Sequence, residues 1–129
     1  MKILAEISVG ELYDKITILN IKLKKINDPN KLKNIKIELD ALIEQSNKLI
    51  LKDNEILKKN IKKLQDINEE LWDIENAKRE CEANKEFGEI FIKISRDVHF
   101  KNDIRASIKK EINLLSNSKI TEEKEYSKY

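Results

Sequence analysis

Two glycines and one proline in 129 residues leave this chain almost without turn formers. A sandwich or barrel needs a tight turn roughly every 8–12 residues, usually built on Gly, Pro, Asn or Asp. Abundant Ile, Leu, Lys and Glu, with so few breakers, point to helices instead. A chain of this length forms one domain and can bury roughly 68% of its unfolded surface, so it needs no staples. The expected fold class is all-α: an antiparallel bundle of about five helices, one of them long, over residues 1–118. A charged C-terminal tail covers 119–129.

The apolar spacing places the elements. Ser8-Val9-Gly10-Glu11 reads as a capping box, with Ile7 and Leu12 where a hydrophobic staple needs them. Leu12, Ile16, Leu19, Leu23 and Ile26 then recur at alternating steps of four and three. Ile18 and Ile21 widen this arc, as expected of a central helix or of one used in a dimer. Asp28-Pro29 ends the first helix and starts a second over about 30–51. Lys52-Asp53-Asn54 is the next turn, with Asp53 as the expected N-cap. A third, long helix covers about 54–85, and a fourth about 87–98 through Phe87, Ile90, Phe91, Ile94 and Val98. His99-Phe100-Lys101 reads as a link, and Asn102 or Asp103 as the cap of a fifth helix ending near Leu115. Gly88 sits inside an apolar helical pattern, so a close helix contact or a kink is expected there.

Charge and cysteine content narrow the function classes. Charged residues make up 39% of the chain, yet the net charge is only +2, too little for a surface that traps nucleic acid as a whole. The balance is uneven, +5 over residues 1–64 and −3 over 65–129, as expected of complementary faces within one bundle. Lys22, Lys24, Lys25, Lys31, Lys33 and Lys36 form a basic elbow. Cys81 and His99 are single, which excludes an intrachain disulfide and a structural zinc site; no metal or cofactor is expected. Neither a signal peptide nor a membrane span is legible, so a cytoplasmic protein is expected. No phosphate-binding glycine loop, metal-ligand helix motif or nucleophile elbow is present, and no catalytic residue is assigned.

The candidate site rests on rarer residue types. Asn68, Trp72, Glu75 and Arg79 share one helical face. A lone Trp among amide, acid and guanidinium suits a sugar or nucleotide, or else sits at the core boundary beside a Glu75–Arg79 ion pair. Only three of the 26 cations are Arg: Arg79, Arg96 and Arg105. Where Lys is the default, Arg implies that a planar, two-pronged donor is required. Arg105, placed in the first turn of the fifth helix, calls for a specific partner: Asp97, Asp103, Glu75 or a ligand anion. Convergence of these Arg residues would make an anion site; interhelical salt bridges are the alternative. On the first helix, Lys15 pairs with Glu11, and Asp14 favours the helix dipole.

Ile7-Ser8-Val9-Gly10-Glu11-Leu12-Tyr13-Asp14-Lys15-Ile16-Thr17-Ile18-Leu19, followed by Ile21-Lys22, resembles the opening signature of a small bacterial and phage domain family of unknown function. Asn68, Leu71-Trp72, Ile74-Glu75, Arg79, Phe91-Ile92, Arg96, Asn102-Asp103, Arg105-Ala106, Lys109, Glu122-Glu123-Lys124 and Tyr126 are similar as well. The resemblance spans nearly the whole chain. It implies an accessory protein encoded near glycosyltransferase and cell-surface polysaccharide genes, with Trp72, Glu75, Arg79, Arg96, Asp103 and Arg105 as positions to watch. The expected function is therefore a non-catalytic helical binding protein. A small helical enzyme acting on an anionic metabolite or sugar nucleotide, and a homodimeric interaction module, are the alternatives.

Overall fold

The computed structural model describes residues 1–49, 51 and 54–129. These form four helices and no strand: α1 (Val9–Lys25), α2 (Pro29–Asn47), α3 (Glu55–Ala83) and α4 (Glu89–Leu115). Ser8 caps α1, its Oγ accepting from the Glu11 N–H at 3.0 Å. Asp28 caps α2, with Pro29 in the first turn. Lys52 and the expected cap Asp53 lie outside the described residues. Asn54 caps α3, accepting from the Ile56 and Leu57 amides.

The expected fourth and fifth helices are one. α4 runs unbroken through His99-Phe100-Lys101, and Asn102-Asp103 lies in its interior. Asp103 resembled a cap because a short carboxylate is favoured at a helix start. Its carboxylate instead accepts from Lys124 and Tyr129 of the C-terminal segment. Arg105 is accordingly a mid-helix residue, so no dipole penalty applies to it.

The glycines are spent away from the helix C-termini. Gly88 precedes α4 with open space around its α-carbon, so neither a close contact nor a kink explains it. The close approach is at Gly10, where a Cβ would stand 2.6 Å from the Lys109 carbonyl oxygen and 2.9 Å from Asn113 Oδ1. With no glycine left for them, α3 and α4 close on Lys85 (φ 54°) and Asn117 (φ 52°). In each, the following amide reaches back five residues: Glu86 N–H to the Cys81 carbonyl, and Ser118 N–H to that of Asn113. This is the Schellman closure, and a left-handed lysine costs roughly 1–2 kcal/mol relative to glycine.

α1 is the central helix, packing against α2, α3 and α4. Its Leu19 joins Ile35 and Leu39 in one apolar cluster, with Ile16, Ile26, Leu32 and Leu42 around it. The backbone of α2 approaches α1 and no other described helix. A second cluster joins Leu57, Leu64 and Ile67 of α3 to Ile112 of α4, flanked by Val9 and Tyr13 of α1. α3 and α4 run antiparallel, with Lys101 bonded to Glu70 at 2.7 Å. α1 runs antiparallel to α4, with Gly10 beside Lys109 and Asn113, and Asp14 beside Arg105. The basic elbow is partly neutralised across helices, Lys24 to Glu69 at 3.5 Å and Lys25 to Asp73 at 4.0 Å.

Candidate functional site

The most concentrated chemistry lies between α1, α3 and α4. Along α1, Gly10, Asp14, Thr17 and Ile21 are buried at helical spacing. Two of these four are polar, so their groups must find partners away from water. Asp14 is 2% exposed. Arg105 grips both its oxygens, Nε to Oδ1 at 2.9 Å and Nη2 to Oδ2. Asn68 Nδ2 donates to Asp14 Oδ1 and to Thr17 Oγ1, both at 3.0 Å. Thr17 Oγ1 donates in turn to the Asp14 carbonyl at 2.9 Å. Lys109 stands 3.6 Å from Asp14 and bonds Glu11 at 2.6 Å.

The start of α1 is closed by residues from the other end of the chain. Val9 N–H donates to Ser118 Oγ at 3.1 Å, and Gly10 N–H to Asn113 Oδ1 at 2.7 Å. Ser8 Oγ donates to Glu122, whose second oxygen accepts from Asn113 Nδ2 at 3.2 Å. The first-turn amides that a helix leaves unpaired are thus taken up by side chains of α4 and the segment after it. Glu11, expected to complete the capping box, turns to Lys109 and, at 3.6 Å, to Lys15.

Burial works to raise the Asp14 carboxyl. The hydrogen bonds from Arg105 and Asn68, and the charges of Arg105 and Lys109, outweigh it and hold Asp14 below the ordinary carboxylate range. Glu122 is also held low: burial works against it, while Ser8, its own backbone and Asn113 favour the charged form. Arg105 is raised, first by its bond to Asp14. The cluster therefore stays charged on both sides at neutral pH.

Beyond this cluster, the C-terminal segment lies along α4. Lys124 bonds Asp103 at 2.7 Å, and the Tyr129 hydroxyl donates to the same carboxylate. The Tyr129 ring meets His99 and Phe100 edge-on, with centroids 5.1 and 4.9 Å away. Between the segment and α4 lies an open groove of about 1450 Å³. Five cations line it (Arg105, Lys109, Lys110, Lys124 and Lys128) against three carboxylates, Asp103, Glu122 and Glu123. His99, Tyr126 and Tyr129 add rings.

The six sequence-derived positions divide among three places. Asp103 and Arg105 line this groove, and Arg105 also belongs to the buried cluster. Arg96 lines a smaller groove on α4 with its guanidinium 6.0 Å from the Phe100 ring centre. Trp72 is half-buried on α3, and Glu75 and Arg79 are exposed there. The partner of Arg105 is Asp14, which none of the anticipated partners included. Asn68, from the same face as Trp72, is the member of that stripe that enters the cluster. Thr17 and Asn113 gave no sign as single residues. What marks Asp14 and Thr17 is a polar pair at the i, i+3 spacing of Ile21's apolar face.

The model of the family of unknown function DUF6165 matches residues 1–129. The chain belongs to that family. No curated protein and no solved structure matches it. Among the described residues, no helix is long and apolar enough to cross a membrane, and no cluster of metal-ligating side chains is found.

Proposed function

We propose that this DUF6165 chain is a non-catalytic, cytoplasmic binding protein that holds an anionic, ring-bearing small molecule between α4 and the C-terminal segment. The observation that carries this reading is the groove, where Lys110, Lys124 and Lys128 stand with three aromatic side chains, while Arg105 and Lys109 of the same lining are taken by Asp14 and Glu11. A nucleotide sugar matches that lining: phosphate for Lys110 and Lys128, a planar base for Tyr126 or Tyr129. The resemblance to accessory proteins encoded near polysaccharide genes favours the same ligand class. Among the six positions, Asp103 and Arg105 are the ones this reading uses, Asp103 by holding the segment and Arg105 by lining the floor.

The buried cluster supports a binding role over a catalytic one. Asp14, locked in its charged form by Arg105, is a poor proton donor near neutral pH. Its neighbours Thr17 and Asn68 are committed to holding it.

Thermal unfolding in the presence of UDP-glucose, GDP-mannose or dTDP-glucose tests the reading. A ligand of the native state raises the melting temperature, by an amount that grows with its concentration. At least one of the three is expected to do so, and Lys110→Ala with Tyr126→Ala is expected to abolish the rise. No rise with any of them, or a rise indifferent to both substitutions, would overturn the proposal.

A further inference from the structure

After α4 the chain reverses and lies back along the helix it has just left. Asn117, with its left-handed backbone (φ 52°), makes the turn. Glu122 then bonds Asn113, Glu123 stands 4.0 Å from Lys110, Lys124 bonds Asp103, and the Tyr129 ring meets His99 and Phe100. Residues 119–129 form neither helix nor strand, and side chains fasten them.

The fastenings are unequal. The near one is buried. Glu122 takes hydrogen bonds from Ser8, 1% exposed, and from Asn113, 3% exposed. Ser118, at the root of the segment, accepts from the Val9 amide and donates to the Ile120 carbonyl. Releasing Glu122 strips buried polar groups of their partner, and that cost keeps this end shut. The far fastening is exposed. Lys124 and the Tyr129 hydroxyl share the carboxylate of Asp103, whose side chain is 42% exposed. Tyr126 and Tyr129 keep 79% and 76% of their surface in water. An exposed ion pair contributes little, because water and salt compete for both partners. This far half also walls the groove: Tyr126, Lys128 and Tyr129 line it on one side, and His99, Asn102 and Ala106 of α4 on the other.

We propose that residues 119–129 are a strap over the groove that opens at its far end, from Lys124 to Tyr129, while Glu122 stays fastened as the pivot. Opening breaks exposed contacts only, those of Asp103 with Lys124 and Tyr129 and those of the Tyr129 ring. The start of α1 stays closed throughout, because Ser8 and Asn113 keep Glu122. Closing brings Lys124, Lys128 and the two tyrosines down on whatever the groove holds. The strap's part as the ligand's way in rests on the groove being a binding site; its unequal fastening does not.

Nitrogen-15 relaxation on the full chain, without ligand, reads the two ends separately. An order parameter near about 0.85 marks rigid backbone, and one below about 0.6 flexible backbone. Asp103→Asn keeps the size of the side chain and removes the charge that holds Lys124. In this variant residues 125–129 are expected below about 0.6, with 118–122, Val9 and Gly10 still near the rigid value. Lys124→Ala should give the same result from the other side of the pair. Glu122→Ala is expected to loosen 118–129 as a whole. Circular dichroism checks that each variant keeps its helices. A far end that stays rigid in both Asp103→Asn and Lys124→Ala, a loss of order that spreads to 118–122 in either, or a near end that stays rigid in Glu122→Ala would each overturn the proposal. With UDP-glucose as the probe, Asp103→Asn is expected to raise the association rate about threefold or more, in proportion to the open fraction. Binding at an unchanged rate would overturn the strap as the way in. No binding by the wild-type chain overturns the reading of the groove alone, since the relaxation data decide the strap without ligand.

Discussion

The two ends of the α3–α4 hairpin invert the usual arrangement of polar and apolar groups. Along the second half of α4, charge lies inside: Asp14 is buried against Arg105, and Ser8, Asn113 and Glu122 bridge three parts of the chain. Where α4 begins, apolar side chains lie outside, with Ile90, Ile92 and Phe87 in solvent and the Phe87 and Phe91 rings edge-on 5.6 Å apart. Apolar contact is non-directional and tolerates many partners, whereas a buried ion pair accepts one geometry. The polar end thus fixes how α1 sits on α3 and α4, and the apolar end leaves a surface for something else.

The largest expected effect lies at the polar end. Arg105→Ala strands a buried carboxylate, and the loss should be about 3 kcal/mol of unfolding free energy, the lower end of the range for such breaks because Lys109 remains near Asp14. Urea unfolding followed by circular dichroism checks it. A loss below about 1 kcal/mol would mean that the pair is not what fixes this end.

Acid should separate the two ends next. Asp14 titrates below its unfolded value of about 4 in the folded chain, so its contribution is fully present only well above that value. It is lost as the pH falls through the folded value. Wild-type stability should therefore fall on acidification below pH 4 more steeply than that of Asp14→Asn. Unfolding curves at neutral pH and at successive steps below pH 4 give the comparison. Parallel curves for the two chains would show that the carboxyl titrates like a free one.

The smallest effect belongs to the apolar end. Ile90→Ser, in a side chain mostly in solvent, should change the stability of the isolated chain at high dilution by less than about 0.5 kcal/mol. A loss of 2 kcal/mol would mean that this face is packed after all, and the contrast between the ends would fail.

Local chemistry made most of the helical fold legible. Ser8 caps α1 through an atom three residues away, as its pattern predicts, and Ile16, Leu19 and Ile26 of the α1 stripe pack on α2 as their spacing predicts, while Leu23 of that stripe is exposed. What stayed hidden depends on distant residues. Asp103 has the chemistry of a cap, and only Lys124 and Tyr129 draw it to the flank of a continuous helix. Asp14 carries nothing in its neighbourhood that points to Arg105, 91 residues away. Gly10 was legible as part of a cap, but its closeness to the α4 backbone depends on a residue 99 positions later. Of the candidate site, the rarity of Arg singled out Arg105, and nothing local could supply the groove made by the C-terminal segment.

The bond between Ser8 and Glu122 spans 114 positions, and that separation has a consequence for how the chain is made. On a ribosome, α1 emerges first, yet the groups that take up its leading amides emerge last. Contacts of such sequence separation carry a loop-closure cost and form slowly. The cluster of Leu19, Ile35 and Leu39 joins α1 to α2 over a far shorter stretch of chain than the ring that Asn113, Ser118 and Glu122 close around the start of α1.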